Sequence, residues 1–322
     1  MSALPFPEVA ASSRRNRDHQ ISLTEIDVHF EHQDTSMKLR TNAVYPAEAV
    51  LVTSEIGPPD GQPVLLSHPL LMGPQMFEPL MERLAARGYR AITWNHRGHG
   101  SNTPPKRERH PEVSLTLLTA QAADVVKGLN LHKPHFVGQG LGGMVGLRLA
   151  AWRPDLIASL TTIASSAETE PHREAITSLA DHIEKHGMTG ELDLGSGTTP
   201  VVKLLSHASF GAWTQNNQPE LVTAWEQRFA RLARIAPSMR AFAARESVIQ
   251  DLHGCSVPVL SIAGAEDIVY PPPISGAAIA TTTGGQYVTI ARAGHSVALE
   301  QPDAVVSHLE HQFASADPIH GF

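Results

Sequence analysis

Apolar and polar positions along the chain follow two different periods. Short and mostly apolar runs, such as residues 63–68 and 157–163, are typical of buried strands in a parallel sheet. Between them lie stretches with an apolar residue every three or four positions, such as 75–87 and 114–130, which predict helices packed on the sheet. This alternation predicts an α/β fold with a doubly wound, mostly parallel sheet.

Other segments of the chain also show strand or helix periodicity. Short alternating stretches between residues 22 and 54, such as Ile26–Phe30, predict antiparallel edge strands. The other predicted strands are 89–94, 135–137, 257–262 and 286–290, and the other predicted helices are 141–151, 274–281 and 301–313.

Residues 167–256 interrupt the alternation with mainly helical periodicity, as in the spacing of Leu221, Trp225, Phe229 and Leu232. A helical insertion between two core strands predicts a cap over the strand ends, where sites lie in open α/β sheets. The predicted organisation is an N-terminal arm (1–20), a core (21–166 and 257–322) and a helical cap (167–256).

Composition narrows the functional classes. The chain has 322 residues, 42% of them hydrophobic and 18% charged, as in a globular protein. A net charge of −7 argues against nucleic-acid binding, and no apolar run is long enough to span a membrane. The N-terminus lacks the apolar region of a secretory signal, and the single Cys255 excludes an intramolecular disulfide, which fits a cytoplasmic protein. We expect a small-molecule substrate, and a homodimer is left open.

The sharpest motif is the glycine-rich segment 137–144, Val-Gly-Gln-Gly-Leu-Gly-Gly-Met, which follows an apolar strand and opens a helix. It resembles the nucleophile elbow, G-x-S-x-G, of the α/β-hydrolases. In that family the flanking glycines prevent clashes with neighbouring strands, and the central serine attacks the substrate. Gly140 stands at the central position. Glycine adopts the required backbone conformation with little strain, but it has no side chain to act as a nucleophile.

A dinucleotide-binding loop is the alternative, because Gly138, Gly140 and Gly143 also spell G-x-G-x-x-G. Such a loop normally opens the first strand–helix unit and is followed by an acidic residue at the end of the next strand. Here Ala164, Ser165 and Ser166 occupy that place, which favours the elbow.

Two later segments resemble the other parts of an α/β-hydrolase triad. Residues 262–272 resemble the strand, G-x-x-D and proline-containing turn that carry the acid, which implies Asp267, with Glu266 as the alternative. Residues 291–296 resemble the loop that carries the histidine base, which implies His295. The acid would orient the imidazole and stabilise its cation. The order of elbow, acid and histidine is also that of the family.

The resemblance also implies an oxyanion hole and a substrate pocket. The first donor would be the backbone N–H of Leu141. Because Pro69 has no N–H to donate, the second would be that of Leu70. Residues 97–101 resemble the R-G-x-G loop beside the site. The residues expected to contact substrate are His68, Met72, Met144 and Trp213. Three further aromatic residues have either pocket lining or cap packing as their role, namely Phe210, Trp225 and Phe229.

Histidine is frequent, with 18 in the chain. His182 and His186 lie four residues apart, and His96 and His99 flank an Arg-Gly turn, but neither pair completes a metal-binding motif. We therefore predict no metal and no cofactor, and expect most histidines at the surface or at the pocket rim.

Three interpretations of Gly140 stay open. In the first, the natural protein has serine here, and this chain is an inactivated variant of an enzyme acting on an ester, lactone or activated carbonyl of a small, moderately apolar molecule. In the second, glycine is natural, and His295 with Asp267 acts as a general base in lyase, isomerase, cyclase or cofactor-free oxygenation chemistry. In the third, the protein binds a ligand and catalyses nothing.

Overall fold

The computed structural model describes residues 39–44, 51–99, 113–232 and 234–316. The predicted arm (1–20), the strand predicted at Ile26–Phe30 and the Gly100–Ser101 end of the R-G-x-G loop lie outside these residues.

Eight of the ten strands in the described residues form one sheet, and the other two form a separate hairpin. In chain order the strands are β1 (Arg40–Val44), β2 (Leu51–Ile56), β3 (Pro63–Ser67), β4 (Arg90–Trp94), β5 (His135–Gln139), β6 (Ser159–Ile163), β7 (Glu191–Asp193), β8 (Thr198–Pro200), β9 (Val259–Gly264) and β10 (Gln286–Ile290). The order across the large sheet is β1-β2-β4-β3-β5-β6-β9-β10.

All neighbouring pairs in this sheet are parallel except β1–β2 and β2–β4. The prediction of a doubly wound, mostly parallel sheet with an antiparallel edge is therefore confirmed. The inner strands of the large sheet, β4, β3, β5, β6 and β9, are almost completely buried, because helices cover both faces.

The helices follow the strands in the expected alternation. They are α1 (Glu78–Ala86), α2 (Leu115–Gly128), α3 (Leu141–Trp152), α4 (Arg173–His186), α5 (Val201–Ser209), α6 (Ala212–Asn217), α7 (Pro219–Ala230), α8 (Ala236–Ala243), α9 (Ile249–Leu252), α10 (Ala278–Thr283), α11 (Val297–Glu300) and α12 (Pro302–Ala316). No helix within the described residues is long and apolar enough to cross a membrane.

Two apolar clusters bury the two faces of the sheet. Successive residues of β3 point to opposite sides, so Leu65 packs with α2 and α3 whereas Leu66 packs with α1 and α12. Because β5, β6, β9 and β10 are parallel, the carboxyl ends of β5, β9 and β10 lie at the same edge of the sheet, where the loops after them meet.

Residues 167–256, called the inserted segment below, connect β6 to β9 through α4 to α9 and the β7–β8 hairpin. Helix α4 packs on α8, and α5 packs on α7. The hairpin was not predicted, because strands of three residues are too short to show a period of two.

Candidate active site

Gly140 alone makes the turn between β5 and α3. Its backbone has φ 52° and ψ −117°, a region that residues with a side chain rarely adopt. The turn is held on both sides: the N–H of Gly140 donates to the carbonyl of Ile163 (2.8 Å), and its own carbonyl accepts from Ser165 Oγ (2.9 Å). This is the sharp strand-to-helix turn that a nucleophile elbow requires.

The neighbouring glycines allow the elbow to pack against adjacent backbone. A Cβ atom on Gly142 would lie 1.9 Å from the carbonyl oxygen of Ser67 in β3, and one on Gly138 would lie 2.3 Å from the carbonyl oxygen of Gly142. Both distances are far below van der Waals contact. Only glycine therefore fits at these positions without moving the sheet.

His295 and Asp267, the residues predicted as base and acid, are in direct contact. Nδ1 of His295 lies 3.0 Å from Oδ2 of Asp267, and the carboxylate has no exposed surface. The other oxygen of Asp267 accepts from the N–H groups of Val269 (2.8 Å) and Tyr270 (2.9 Å), which fix its orientation. Glu266, the alternative acid, instead accepts from the backbone N–H of Trp213 (2.8 Å).

Position 140 faces the other nitrogen of the imidazole. A Cβ atom built on Gly140 would lie 3.4 Å from Nε2 of His295 and 3.0 Å from Cβ of Pro69. No residue in the described part of the chain forms a hydrogen bond with this Nε2. The imidazole therefore lies between Asp267 and the place that a side chain at position 140 would occupy.

The environment of His295 favours its protonated form. Burial by itself lowers the pKa of His295, but the charge and the hydrogen bond of Asp267, together with the charge of Glu300, outweigh burial and raise the pKa above its ordinary value of 6.5. A histidine of this kind is a stronger base than a free one, which suits proton abstraction.

The two predicted oxyanion-hole residues directly follow Gly140 and Pro69 in the chain. Leu141 is the first residue of α3, so its N–H has no partner within the helix. Pro69, which precedes Leu70, contacts the position of a side chain on residue 140. The loop after β3 therefore borders the site, and the donor roles of Leu141 and Leu70 stay predictions.

The four predicted substrate contacts divide into two pairs. Met72 lies beside the histidine loop, where its sulfur accepts from Ser296 Oγ (3.7 Å), but it is only 3% exposed and belongs to an apolar core cluster. Trp213 is partly exposed and lies beside the acid loop. By contrast, Met144 has no exposed surface and packs in the core.

His68 also has no exposed surface, and both of its ring nitrogens are used. Nδ1 bonds to the carbonyl of Pro69 (2.9 Å), and Nε2 accepts from the backbone N–H of His96 (3.0 Å). The structure therefore corrects the prediction for His68 and Met144, because both residues belong to the core and neither lines an open pocket.

The other aromatic residues considered for the pocket pack inside the protein. Phe210, Trp225 and Phe229 are each at most 5% exposed and belong to the apolar cluster that the inserted segment shares with the core. Of the two roles that the sequence left open for them, packing is the one the structure shows.

A buried histidine cluster lies behind the loop after β3, and the sequence did not predict it. The ring centroids of His68 and His96 are 4.3 Å apart, and those of His68 and His99 are 5.0 Å apart. Burial and the neighbouring histidine lower the pKa of His96 to about 3, and burial lowers that of His99 to about 4. Burial, together with the charges of His96 and His99, also holds the pKa of His68 well below its usual range, so all three rings are neutral at pH 7. These three histidines do not lie at the surface or at the pocket rim, where most histidines were expected. The only sequence signal for the cluster is the close spacing of His96 and His99.

Gln139 is a second contributor that the sequence did not identify. Its amide group donates to the carbonyl of His295 (3.0 Å) and accepts from the N–H of Ala298 (3.1 Å). The residue before the elbow centre thus fastens the histidine loop to the elbow.

A fully buried ionic cluster supports the acid loop. Arg245 bonds to Glu170 (2.7 Å) and to the hydroxyl of Tyr270 (2.9 Å), and that hydroxyl donates to Glu170 (2.7 Å). Glu170 and Arg245 lie near the two ends of the inserted segment, and the ring of Tyr270 is 5.8 Å from that of His295. The two ends of the inserted segment are therefore connected by hydrogen bonds to the loop that carries Asp267.

Within the ranges that the structure describes, no group of three or more His, Cys, Asp or Glu side chains is placed to hold a metal ion. The rings of His182 and His186 do approach each other, with centroids 4.7 Å apart, as their helical spacing suggested.

An open parallel sheet with a tight elbow after β5, an acid after β9 and a histidine after β10 defines the class of α/β-hydrolase-type proteins. Residues 62–302 match the sequence profile of the α/β hydrolase fold family. The chain therefore belongs to that family, as the sequence motifs indicated.

Comparisons with individual proteins agree. A candidate carbamate hydrolase, RutD, from Caulobacter vibrioides is 28% identical over 269 residues, which cover 79% of this chain and 93% of that protein. A crystal structure of an enol-lactonase from Burkholderia xenovorans superposes with a TM-score of 0.73 at 21% identity, covering 84% of this chain and 99% of that one. A thermophilic esterase from Thermogutta terrifontis gives 0.74 at 23% identity, covering 86% and 99%. At these sequence identities, the two structural similarities support the fold alone.

Proposed function

We propose that this fold carries an acyl-transfer site for an ester, lactone or activated carbonyl of a small, moderately apolar molecule, in which position 140 is the place of the nucleophile. The observation that carries the proposal is the alignment of three groups: Asp267 is 3.0 Å from Nδ1 of His295, and Nε2 of the same ring is 3.4 Å from a Cβ atom at position 140. The candidate carbamate hydrolase among the relatives supports a carbonyl substrate of this class.

With serine at position 140, the chemistry would follow from this geometry. His295 would take the hydroxyl proton as the oxygen attacks the carbonyl, Asp267 would stabilise the imidazolium, and the proton would pass to the leaving group. Water, activated by His295, would then release the acyl group. Gly140 offers no such oxygen, so the chain as it stands is impaired in covalent catalysis and retains the base, the acid and the elbow.

The test is the Gly140→Ser variant, assayed for hydrolysis of a panel of p-nitrophenyl esters, lactones and carbamates. Gly140→Ala is the matched control, because it adds the same Cβ atom without the hydroxyl. We expect turnover in the serine variant, none in the alanine variant, and loss of turnover when His295→Ala is added. A folded serine variant that is inert across the panel would contradict the proposal.

Among the described residues Nε2 of His295 has no hydrogen-bond partner, and this observation together with the raised pKa of the ring favours a second candidate function. In the glycine form, His295 with Asp267 would act as a general base directly on a substrate or a water molecule, without a covalent intermediate. This candidate predicts turnover by the unsubstituted chain that His295→Ala abolishes. Turnover that survives this substitution would exclude it, and ligand binding with no product would indicate a binding protein instead.

Specificity in this proposal comes from the inserted segment. Trp213 belongs to this segment, is partly exposed and lies beside the acid loop, where its backbone N–H donates to Glu266. Trp213→Ala should raise KM for apolar substrates of the serine variant more than it lowers kcat.

A further inference from the structure

Glu300, the last residue of α11, is a buried carboxylate that the acyl-transfer mechanism does not use. Glu300 is 3% exposed, and its carboxylate accepts four hydrogen bonds. Such a group is costly to bury unless its partners are all in place, so its surroundings show what it holds together.

One oxygen of this carboxylate is bonded to the residues on both sides of the catalytic histidine. Oε1 of Glu300 accepts from the N–H of Gly294 (2.9 Å) and from the N–H of Ser296 (3.1 Å). His295 lies between these two residues. The loop that carries the imidazole is thus fixed by one carboxylate oxygen.

The other oxygen is bonded to the inserted segment. Oε2 of Glu300 accepts from the N–H of Gly211 (2.8 Å), between α5 and α6, and from the hydroxyl of Thr214 (2.6 Å), in the first turn of α6. A single side chain therefore joins the histidine loop to a turn of the segment that we propose governs specificity.

The two loops meet at backbone contact. A Cβ atom on Gly294 would lie 2.2 Å from the nitrogen of Gly211, and the N–H of Ser296 also donates to the carbonyl of Ser209 (2.9 Å). Because no side chain separates the loops at this point, a shift of the 209–214 turn must be passed directly to the residues that flank His295.

The charge of Glu300 also acts on the imidazole. Burial raises the pKa of Glu300, while its four hydrogen bonds lower it, and the net effect is a raised pKa. The carboxylate charge is one of the influences that raise the pKa of His295, together with that of Asp267. Glu300 thus influences His295 by position and by charge.

We propose that Glu300 is a positioning residue, which holds His295 in place and couples it to the 209–214 turn of the inserted segment. The inference rests on the proposed function in that His295 is taken to be the base. The hydrogen-bonded connection itself can be tested without any turnover.

The first test is amide hydrogen exchange on the unsubstituted chain, Glu300→Ala, Glu300→Gln and the control Glu310→Gln. Glu310 is a half-exposed carboxylate on α12 that pairs with Arg87 (3.1 Å). Removal of a buried charged acceptor predicts exchange that is roughly tenfold faster or more in Glu300→Ala at peptides covering both 209–214 and 293–296. Glu300→Gln should show a smaller change in the same two regions, and Glu310→Gln none. Unchanged exchange in either region would overturn the coupling, and Glu300→Gln decides this if Glu300→Ala does not fold.

The second test asks for an effect that loss of packing alone would not give. The ring of His295 is titrated by NMR in the unsubstituted chain and in Glu300→Gln, with His295→Asn to assign its signal. Removal of the negative charge predicts a lower pKa for His295 in Glu300→Gln, and no change in Glu310→Gln. In the Gly140→Ser background the acidic limb of kcat/KM should move to lower pH by the same amount.

An unchanged pKa of His295 in Glu300→Gln would reduce Glu300 to a structural residue and overturn the inference. These results separate the two proposals. If Gly140→Ser is inert while exchange and titration respond as expected, the acyl-transfer function fails and the positioning role stands.

Discussion

The conformation of Gly140 predicts a stability cost for any side chain at the elbow, and Gly140→Ala measures it with the smallest change. The backbone at φ 52° and ψ −117° is unfavourable for alanine, and the new Cβ atom would lie 3.0 Å from Cβ of Pro69. The loop after β3 must therefore move by a few tenths of an ångström to admit the methyl group.

The magnitude follows from two opposing effects. Holding a residue with a side chain in so sparsely populated a region costs about 1–3 kcal/mol. Replacing glycine also restricts the unfolded chain, which returns about 0.4–1 kcal/mol. We therefore expect Gly140→Ala to lower the free energy of unfolding by about 1–2 kcal/mol, or the melting temperature by roughly 2–4 °C.

The assay is urea unfolding followed by circular dichroism, with Gly284→Ala as the matched control. Gly284 also has a positive φ, 70°, but it lies in the common left-handed helical region, and a Cβ atom there would have no neighbour within 4 Å. We expect a smaller loss in this control than in Gly140→Ala. A Gly140→Ala variant as stable as the unsubstituted chain would refute the argument that the elbow is strained and closely packed.

Four further outcomes follow from the same structure. Gly142→Ala should abolish soluble expression, because its Cβ atom would lie 1.9 Å from the carbonyl oxygen of Ser67. In the Gly140→Ser background, Asp267→Asn should lower kcat by roughly 10⁴-fold. The rate of the Gly140→Ser variant itself should rise with pH, with a midpoint above 6.5, because the base must be neutral and its pKa is raised. Urea unfolding should show stability falling as the pH drops below 6.5, because the pKa values of His96 (about 3) and His99 (about 4) are lowered on folding and the unfolded chain binds more protons.

The core of the fold was predictable because its elements are long enough to show their period. The β10 strand, Gln286–Ile290, has the predicted bounds, and β3 differs from its prediction by one residue. The β7–β8 hairpin was missed because each of its strands has three residues and no continuous apolar face. Local pattern is sufficient where burial imposes a period, and it fails where a strand is short and exposed.

The proximity of Asp267 and His295 could be anticipated from the family motifs, and their roles as acid and base stay predictions. The residues that support this pair could not be anticipated, because their roles come from contacts between distant parts of the chain. Glu300 contacts a turn 89 residues away in sequence, and Gln139 contacts the histidine loop 156 residues away. His68 is expected at the pocket, but its ring lies in a cluster that forms only when β3 and β4 pair. A single sequence contains no local signal for such contacts.

The most direct test of position 140 as the nucleophile site is covalent labelling of the Gly140→Ser variant with a fluorophosphonate, read by intact-mass spectrometry. Such a reagent reacts with a serine only when a neighbouring base activates it. The geometry around Nε2 of His295 predicts one adduct on Gly140→Ser, none on the unsubstituted chain, and none when His295→Ala is added. A folded Gly140→Ser variant that stays unmodified, or an adduct of equal extent on the unsubstituted chain, would contradict the assignment.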